Sequence, residues 1–494
     1  MSDSNENDSL SSITRGASLY FIGKIVVDVL GFVFQLILTR GLGAGTYGIY
    51  AYSKNIIGIF LVFTNLGTDK SLLKYIPQYH DELERQQFVL TLATITSLCA
   101  ATIAAVSLFI FSPTISRLTL NNQLFVDVLR FFALILIFDT ISRILYSVFR
   151  GAEKLEYEVL TNKLVRPVFR VSAAVLALGL GFSLIGVMVG LLFAHLLTLI
   201  ISIYLFYTRF KLSLPHSYSI LKEGSVRSYY NFSIPITVKD AGDILMNRVD
   251  ILMVGFFLSS TAVGIYNIAV LLAGILALPL AAFNQLFPPV ASRLLSNEKR
   301  SELKYLYEVI TRWVFIISLI MAISLVTYRF ELLSLFGEEF TGGSLVLTLF
   351  VLGQLVHSLG GANGYLLMMT DHQYLLAANQ WAFGILNFVL NYIFIVEYGF
   401  IGAAVATASV FALLNITKTI ELWYLEGLFP YSLSFLKPII AGIFSIIPMH
   451  IMGMLLNGIY LVFVGTLIGV LTYIIIIISL GVEEEEKSLI KSLV

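Results

Sequence analysis

A single cysteine, Cys99, occurs in the chain, and it lies in an apolar run, so an internal disulfide and a cysteine-built metal site are both excluded. Charged residues are scarce too. They make up 13% of the 494 positions against 58% hydrophobic, which rules out an ordinary soluble domain and a disordered chain. Basic and acidic residues balance at 31 each, so no basic field argues for nucleic acid, and none is expected as a partner. The polar, acidic residues 1–12 lack the basic start, short apolar core and small-residue cleavage site of a signal peptide. The first apolar run is therefore expected to stay as a membrane anchor.

What is present is a series of apolar runs of helix length. Crossing about 30 Å of hydrocarbon takes roughly 20 residues, and only helices satisfy their backbone internally over such a length. Fourteen runs meet that measure: 17–39, 46–66, 88–111, 124–149, 158–180, 184–207, 231–257, 262–287, 309–327, 345–369, 373–396, 400–423, 436–456 and 458–480. With the N-terminus placed inside, the inside loops and tails hold Arg15, Lys70, Lys74, Arg85, Arg150, Lys154, Arg209, Lys211, Lys222, Arg227, Arg293, Lys299, Arg300, Lys304, Lys437, Lys487 and Lys491. The outside loops hold only Arg40, Arg117 and Arg329. The positive-inside rule then sets both termini in the cytoplasm of a multi-pass protein of the cytoplasmic membrane.

A weak internal repeat divides the chain. Gly48-Ile49-Tyr50 with Gly58-Ile59 recurs as Gly264-Ile265-Tyr266 with Gly274-Ile275, an offset of 264 − 48 = 216. Ile185-Gly186 with Val189 recurs as Ile401-Gly402 with Val405, again at 402 − 186 = 216. Six spans separate the copies, an even number, so both have one orientation, as two like bundles about an axis along the membrane normal. The expected fold is an all-α integral membrane protein of about 14 transmembrane helices: two pseudo-symmetric six-helix bundles plus two C-terminal helices. Its expected parts are a tail 1–16, a bundle 17–208, an amphipathic linker 209–230, a bundle 231–424, helices 13 and 14 over 425–480, and a tail 481–494, where Glu483–Glu486 begins a short surface helix. Helix 1 near Asp28 is expected to face helix 7 near Asp243 across a central cavity.

Charges inside the runs point to that cavity. An ionisable group in hydrocarbon costs a few kcal/mol and is tolerated where it meets a partner or water. Lys24 and Asp28, Asp139 and Arg143, and Lys239 and Asp243 are each four apart, on one helix face. Self-neutralised pairs would serve packing alone. The occurrence of the first and last on the opening helix of each copy favours a polar passage. Arg166 and Arg170 are also four apart but of one sign, with Pro167 between them, so they need an anion or an acidic neighbour. A diphosphate suits the guanidinium fork; the plainer reading has Arg166 reaching the headgroups and Arg170 pairing with another helix. Asp240, Asp243 and Asp250 are candidates to carry a coupling proton or Na⁺, or to pair with Arg248 and Lys54. His195 and His357 read as hydrogen-bonded packing residues. Tyr20, Tyr47, Tyr50, Tyr52, Tyr266 and Tyr365 are interface anchors or sugar-stacking groups, with Tyr52 a candidate to face the cavity.

Three groups of residues carry a family resemblance. They are Thr39-Arg40-Gly41-Leu42-Gly43 leading into Gly45-Thr46-Tyr47-Gly48, then Tyr75-Ile76-Pro77 echoed by Phe287-Pro288-Pro289, and the run from Tyr398 and Gly399 to Ala404. Over nearly its whole length the chain resembles the multidrug/oligosaccharidyl-lipid/polysaccharide exporter superfamily, and within it the polysaccharide-biosynthesis flippases. The resemblance implies a flippase, not an enzyme, moving a polyprenyl phosphate- or diphosphate-linked oligosaccharide by alternating access for cell-surface polysaccharide or glycoprotein assembly. Membrane lipid and glycan assembly enzymes are its implied partners. Lipid II flippases of the superfamily use cations in helices 1, 2 and 8. The matching residues here are Lys24 and Lys54, with Arg248 the nearest later cation, on helix 7. Lysine at the first two positions suggests a substrate other than a peptidoglycan precursor. The expected substrate cavity thus comprises Lys24, Asp28, Lys54, Arg166, Arg170 and Arg248.

Two alternatives stay open. One is a cation-coupled multidrug antiporter of the same superfamily, disfavoured by helices 13 and 14 and by the mixed-sign charges. The other is an integral membrane glycan polymerase or glycosyltransferase. The longest outside loop, 328–343, offers Glu331, Glu338 and Glu339 but no clustered His or Asp, and no nucleotide-binding glycine loop is visible.

Overall fold

A computed structural model describes residues 2–210 and 223–481. They are helical, with no strand among the described residues. The tail 482–494, with Glu483–Glu486, Lys487 and Lys491, lies outside them, as do Lys211 and Lys222 of the expected linker. Nine elements among the described residues are long and apolar enough to cross a membrane. Two of these are folded at a glycine. α1 (Ser2–Asn65), which also runs through the expected N-terminal tail, turns at Gly43 with φ 72° and ψ 169°. A later helix, Gln373–Glu426, turns at Gly399 with φ 60° and ψ −146°. Side chains are excluded from such backbone angles, so glycine lets one apolar stretch pass into the next without a loop. The Ile-Gly pair of the repeat has a related cause: a Cβ on Gly402 would lie 2.0 Å from the Phe394 carbonyl oxygen.

Between these come α2 (Thr68–Gln78), α3 (Leu83–Leu118), α4 (Gln123–Gly151), α5 (residues 155–179, with a π-helical section Val159–Val165) and α6 (Leu184–Arg209). α7 (Glu223–Asn247) has already begun inside the expected linker, and α8 (Val249–Phe257) follows a break at Arg248. The described chain continues as α9 (Ser260–Ala273), α10 (Leu278–Ser296), α11 (Arg300–Thr327), α12 (Arg329–Ser334), α13 (Ser344–Gly360), α14 (Asn363–Met369), α15 (Gln373–Glu426), α16 (Leu436–Leu455) and α17 (Gly458–Ser479).

Two compact units result. One comprises Met1–Ile244 with Ser259–Val263, the other Leu245–Leu258 with Gly264–Val494. In the first, α4 is the central helix, buried on most sides through Phe125, Leu129, Leu136 and Phe149. The start of α7 is tied to this unit by the Tyr229 hydroxyl donating to Thr68 Oγ1 at 3.2 Å. In the second, Phe287, Leu303, Tyr307, Leu366 and Leu422 form a core, and Tyr307 donates to the Gly360 carbonyl at 2.8 Å. α16 and α17 pack on each other and on α11, where the Tyr473 hydroxyl donates to the Ile316 carbonyl at 3.1 Å. Ile103, Ile110, Phe193, Ile443 and Phe463 are exposed among many other large apolar side chains. Surfaces of that kind belong against hydrocarbon, and the protein is a multi-pass membrane protein.

Candidate functional site

The charged site of the first unit is built on α5. Pro167 has no N–H to offer the Lys163 carbonyl one turn earlier, which interrupts the α-helical ladder. The chain widens instead, and the Arg166 amide donates to the Thr161 carbonyl five residues back. Single π-turns of this sort often mark functional positions. Here three cations, Lys163 within the turn and Arg166 and Arg170 after it, are spread over about 10 Å of helix axis.

Each cation has a different setting. Lys163 is buried, with Nζ 3.1 Å from the centroid of the Tyr20 ring, a cation–π contact. Arg166, whose side chain is 18% exposed, pairs with Asp139 of α4 and donates to His195 Nε2 of α6 at 3.3 Å. Its Nε–H has no partner among the described residues. Arg170 lies 4.7 Å from the Phe34 ring centroid and faces the Tyr50 hydroxyl. Of the two expected partners, an anion or an acidic neighbour, Arg166 has the acidic neighbour, and Arg170 meets an aromatic face. The plainer reading that Arg166 reaches the headgroups is corrected, because its guanidinium is turned inward to Asp139.

Asp139 is the centre of this cluster. Its side chain is 6% exposed; Oδ1 takes Arg166, and Oδ2 accepts from Arg143 Nε at 3.2 Å. Arg143 is 43% exposed, so one guanidinium is enclosed and the other open. A guanidinium only donates, so His195 Nε2 accepts and Nδ1 carries the proton, which goes to the Leu191 carbonyl at 2.8 Å. The other nearby carboxylate, Glu158, is buried and accepts from Asn162 Nδ2 at 3.0 Å. Four cations (Lys163, Arg166, Arg170, Arg143) against two carboxylates leave an excess of positive charge even with both acids ionised. Arg143, Lys163 and His195 were not singled out as site residues by the sequence. For Arg143 the signal existed, its spacing from Asp139.

The other expected site residues are placed as follows. Lys24 and Asp28 bond each other at 2.8 Å, both half-exposed, and Lys54 is exposed on α1. Lys239 bonds Asp243 at 2.8 Å and lies 3.6 Å from Asp240. Arg248 is half-buried at the break before α8. Tyr52 is buried against Phe125 at a ring distance of 5.4 Å, which corrects its expected exposure to a cavity.

In the second unit the enclosed carboxylate is Asp250. It is 2% exposed; Oδ2 accepts from the Tyr266 hydroxyl at 2.7 Å, and Oδ1 from the Ile251 amide at 2.8 Å. Tyr266 also reaches Thr407, whose hydroxyl accepts from Asn391 Nδ2 at 2.9 Å. Asn391 bonds Asn387, and Asn387 donates to the Leu245 and Met246 carbonyls freed at the helix break, both at 3.3 Å. Tyr50 and Tyr266 are repeat partners, 266 − 50 = 216, and each sits at the polar cluster of its own unit.

These features define a polytopic helical membrane protein with two buried polar centres. A model described as polysaccharide biosynthesis protein matches residues 13–295, more than half of the sequence, and the chain belongs to that family. A second model, MatE, matches 235–393. The chain is 25% identical over 409 residues, 81% of either chain, to the probable low-salt glycan biosynthesis flippase Agl15 of Haloferax volcanii. It is 20% identical over 464 residues to the uncharacterized membrane protein MJ1068 of Methanocaldococcus jannaschii, covering 90% of this chain and 91% of that one. Among solved structures, the lipid II flippase MurJ in an inward closed conformation matches with a TM-score of 0.72 at 16% identity, over 93% of this chain and 97% of that one. An inward-facing multidrug resistance MATE family transporter of the MOP superfamily matches at 0.58 and 14%, over 80% and 93%. These likenesses show a common fold.

Proposed function

We propose that the protein is a flippase that carries a polyprenyl phosphate- or diphosphate-linked oligosaccharide across the cytoplasmic membrane by alternating access, for cell-surface polysaccharide or glycoprotein assembly. The observation that carries this reading is the cationic column of Lys163, Arg166 and Arg170 with Arg143 beside it. An anion entering a low-dielectric region loses hydration, and fixed cations offset that loss. The same excess of positive charge disfavours an organic cation as cargo. The family membership and the glycan-flippase relative support the same choice. Lys24, Lys54 and Arg248 remain proposed cavity cations, with Asp28 as the partner that holds Lys24 in place.

The test is transport by purified protein in liposomes, comparing a diphosphate-linked oligosaccharide with a fluorescent organic cation. The glycolipid is expected to cross and the cation not. Arg170→Ala is expected to slow glycolipid transport about tenfold or more with unchanged folded yield, since a hydrogen bond to a charged group contributes about 1.5–3 kcal/mol. Movement of the organic cation alone would support the antiporter instead.

A proton or Na⁺ is the proposed coupling ion, taken by Asp250. Of the three candidate carboxylates, Asp240 and Asp243 bond Lys239, whereas Asp250 is enclosed among hydroxyl and amide groups. Both termini are proposed to face the cytoplasm. Reporter fusions after Val494 and within residues 341–343 are expected to report opposite sides, and same-side signals would break that topology.

A further inference from the structure

The second unit holds a cavity distinct from the Asp250 network. It has a volume of 330 Å³, lies among α10, α13, α14 and the second half of α15, and is within the size range of small-ligand sites. Its back wall is fixed by hydrogen bonds. Asn415 Nδ2 donates to the Phe411 carbonyl at 2.8 Å, which turns Oδ1 toward His357 Nδ1, also at 2.8 Å. His357 therefore carries its proton on Nδ1 and presents Nε2 as an acceptor. Asn363 locks the frame by donating to the Asn415 carbonyl at 3.2 Å and to Thr419 Oγ1 at 3.0 Å.

Three further features point to a ligand. The enclosed Oδ1 of Asn284, a lining residue, has no hydrogen-bond partner among the described residues. An enclosed acceptor left unpaired costs about 1–3 kcal/mol, so a donor from outside is favoured there. Tyr365 lies at the rim with part of its ring exposed. Gly364, next to Tyr365 on α14, has open space where a Cβ would stand.

We propose that this cavity receives a sugar residue of the transported glycan. Hydroxyl groups supply the protons that Asn284 Oδ1 and His357 Nε2 accept, and the C–H face of the ring lies on Tyr365. A hydroxyl suits these acceptors because it has a proton to give, and an organic cation is opposed by Lys418 on the same wall. The inference rests on the flippase reading and adds to it a place where the sugar itself is recognised.

The experiment measures binding of four probes to the purified full-length protein in detergent. They are undecaprenyl diphosphate, bare or carrying one glucose, galactose or N-acetylglucosamine. At least one glycosylated lipid is expected to bind about tenfold more tightly than the bare lipid, as two hydrogen bonds of about 1 kcal/mol would give. Asn284→Ala and, separately, Gly364→Leu are expected to bring that preference to within about twofold while leaving the bare lipid unaffected. Gly364→Leu fills open space with a good helix former and keeps the test valid should Asn284→Ala fold poorly. A preference that survives both variants, or bare lipid bound as well as every glycosylated one, overturns the sugar site and leaves the flippase reading standing. Binding of none of the four lipids overturns both.

Discussion

Asp139→Ala is expected to remove most of the folded protein from the membrane. The substitution leaves the Arg166 guanidinium inside the first unit without its carboxylate, and breaking a buried ion pair by removing one partner costs about 3–5 kcal/mol. That is a large part of the stability of an ordinary domain. Arg143 is less affected, because its more exposed side chain can turn to water. The double change Asp139→Ala with Arg166→Leu removes both charges and is expected to restore folded yield without restoring transport. Detergent-solubilised yield by size-exclusion chromatography reads the first effect and liposome transport the second. Wild-type yield from the single Asp139→Ala variant would show that Asp139 does not hold Arg166 in place.

Asp250→Asn is expected to give a folded protein whose transport no longer responds to an imposed Na⁺ or proton gradient. The amide oxygen still accepts from the Ile251 amide, and the amide nitrogen can donate to the Tyr266 oxygen, whose proton then goes to Thr407. Geometry is kept and the charge is lost. Without a carboxylate the site neither takes up a proton nor compensates a cation, so the gradient has nothing to act on there. The measurement is transport rate with and without each gradient, wild type against variant. An Asp250→Asn protein that gains as much from the gradient as wild type would remove Asp250 from coupling.

Some of the site was readable along one helix. Lys24–Asp28, Lys239–Asp243 and Asp139–Arg143 are four apart, and all three bond in the structure, at 2.8, 2.8 and 3.2 Å. Helical periodicity alone places such residues on one face. The Asp139–Arg166 pair, 27 residues apart on α4 and α5, was not readable, nor was His357–Asn415, 58 apart on α13 and α15. Those contacts depend on which helices lie side by side and on the rotation of each about its axis. Several rotations suit an apolar helix whose neighbours are all apolar. Pro167 gave warning of a disturbance in α5, but not that the disturbance would be a π-turn aligning cations with α1, α4 and α6.

The sequence by itself determined the membrane class, the helical character and the places where the chain must turn. Those follow from run length and from the need of a backbone in hydrocarbon to bond itself, whereas the glycine turns at 43 and 399 came from the structure. It also determined the repeat that puts a tyrosine at 50 and 266. Tertiary structure decided the partners: that Tyr50 faces Arg170, that Tyr266 holds Asp250, and that Asn284 and His357 line one cavity. The physical reason is range. Span and turn are set by a residue and its near neighbours, whereas a buried charge or amide is matched by whatever the packing of distant helices brings within about 3 Å.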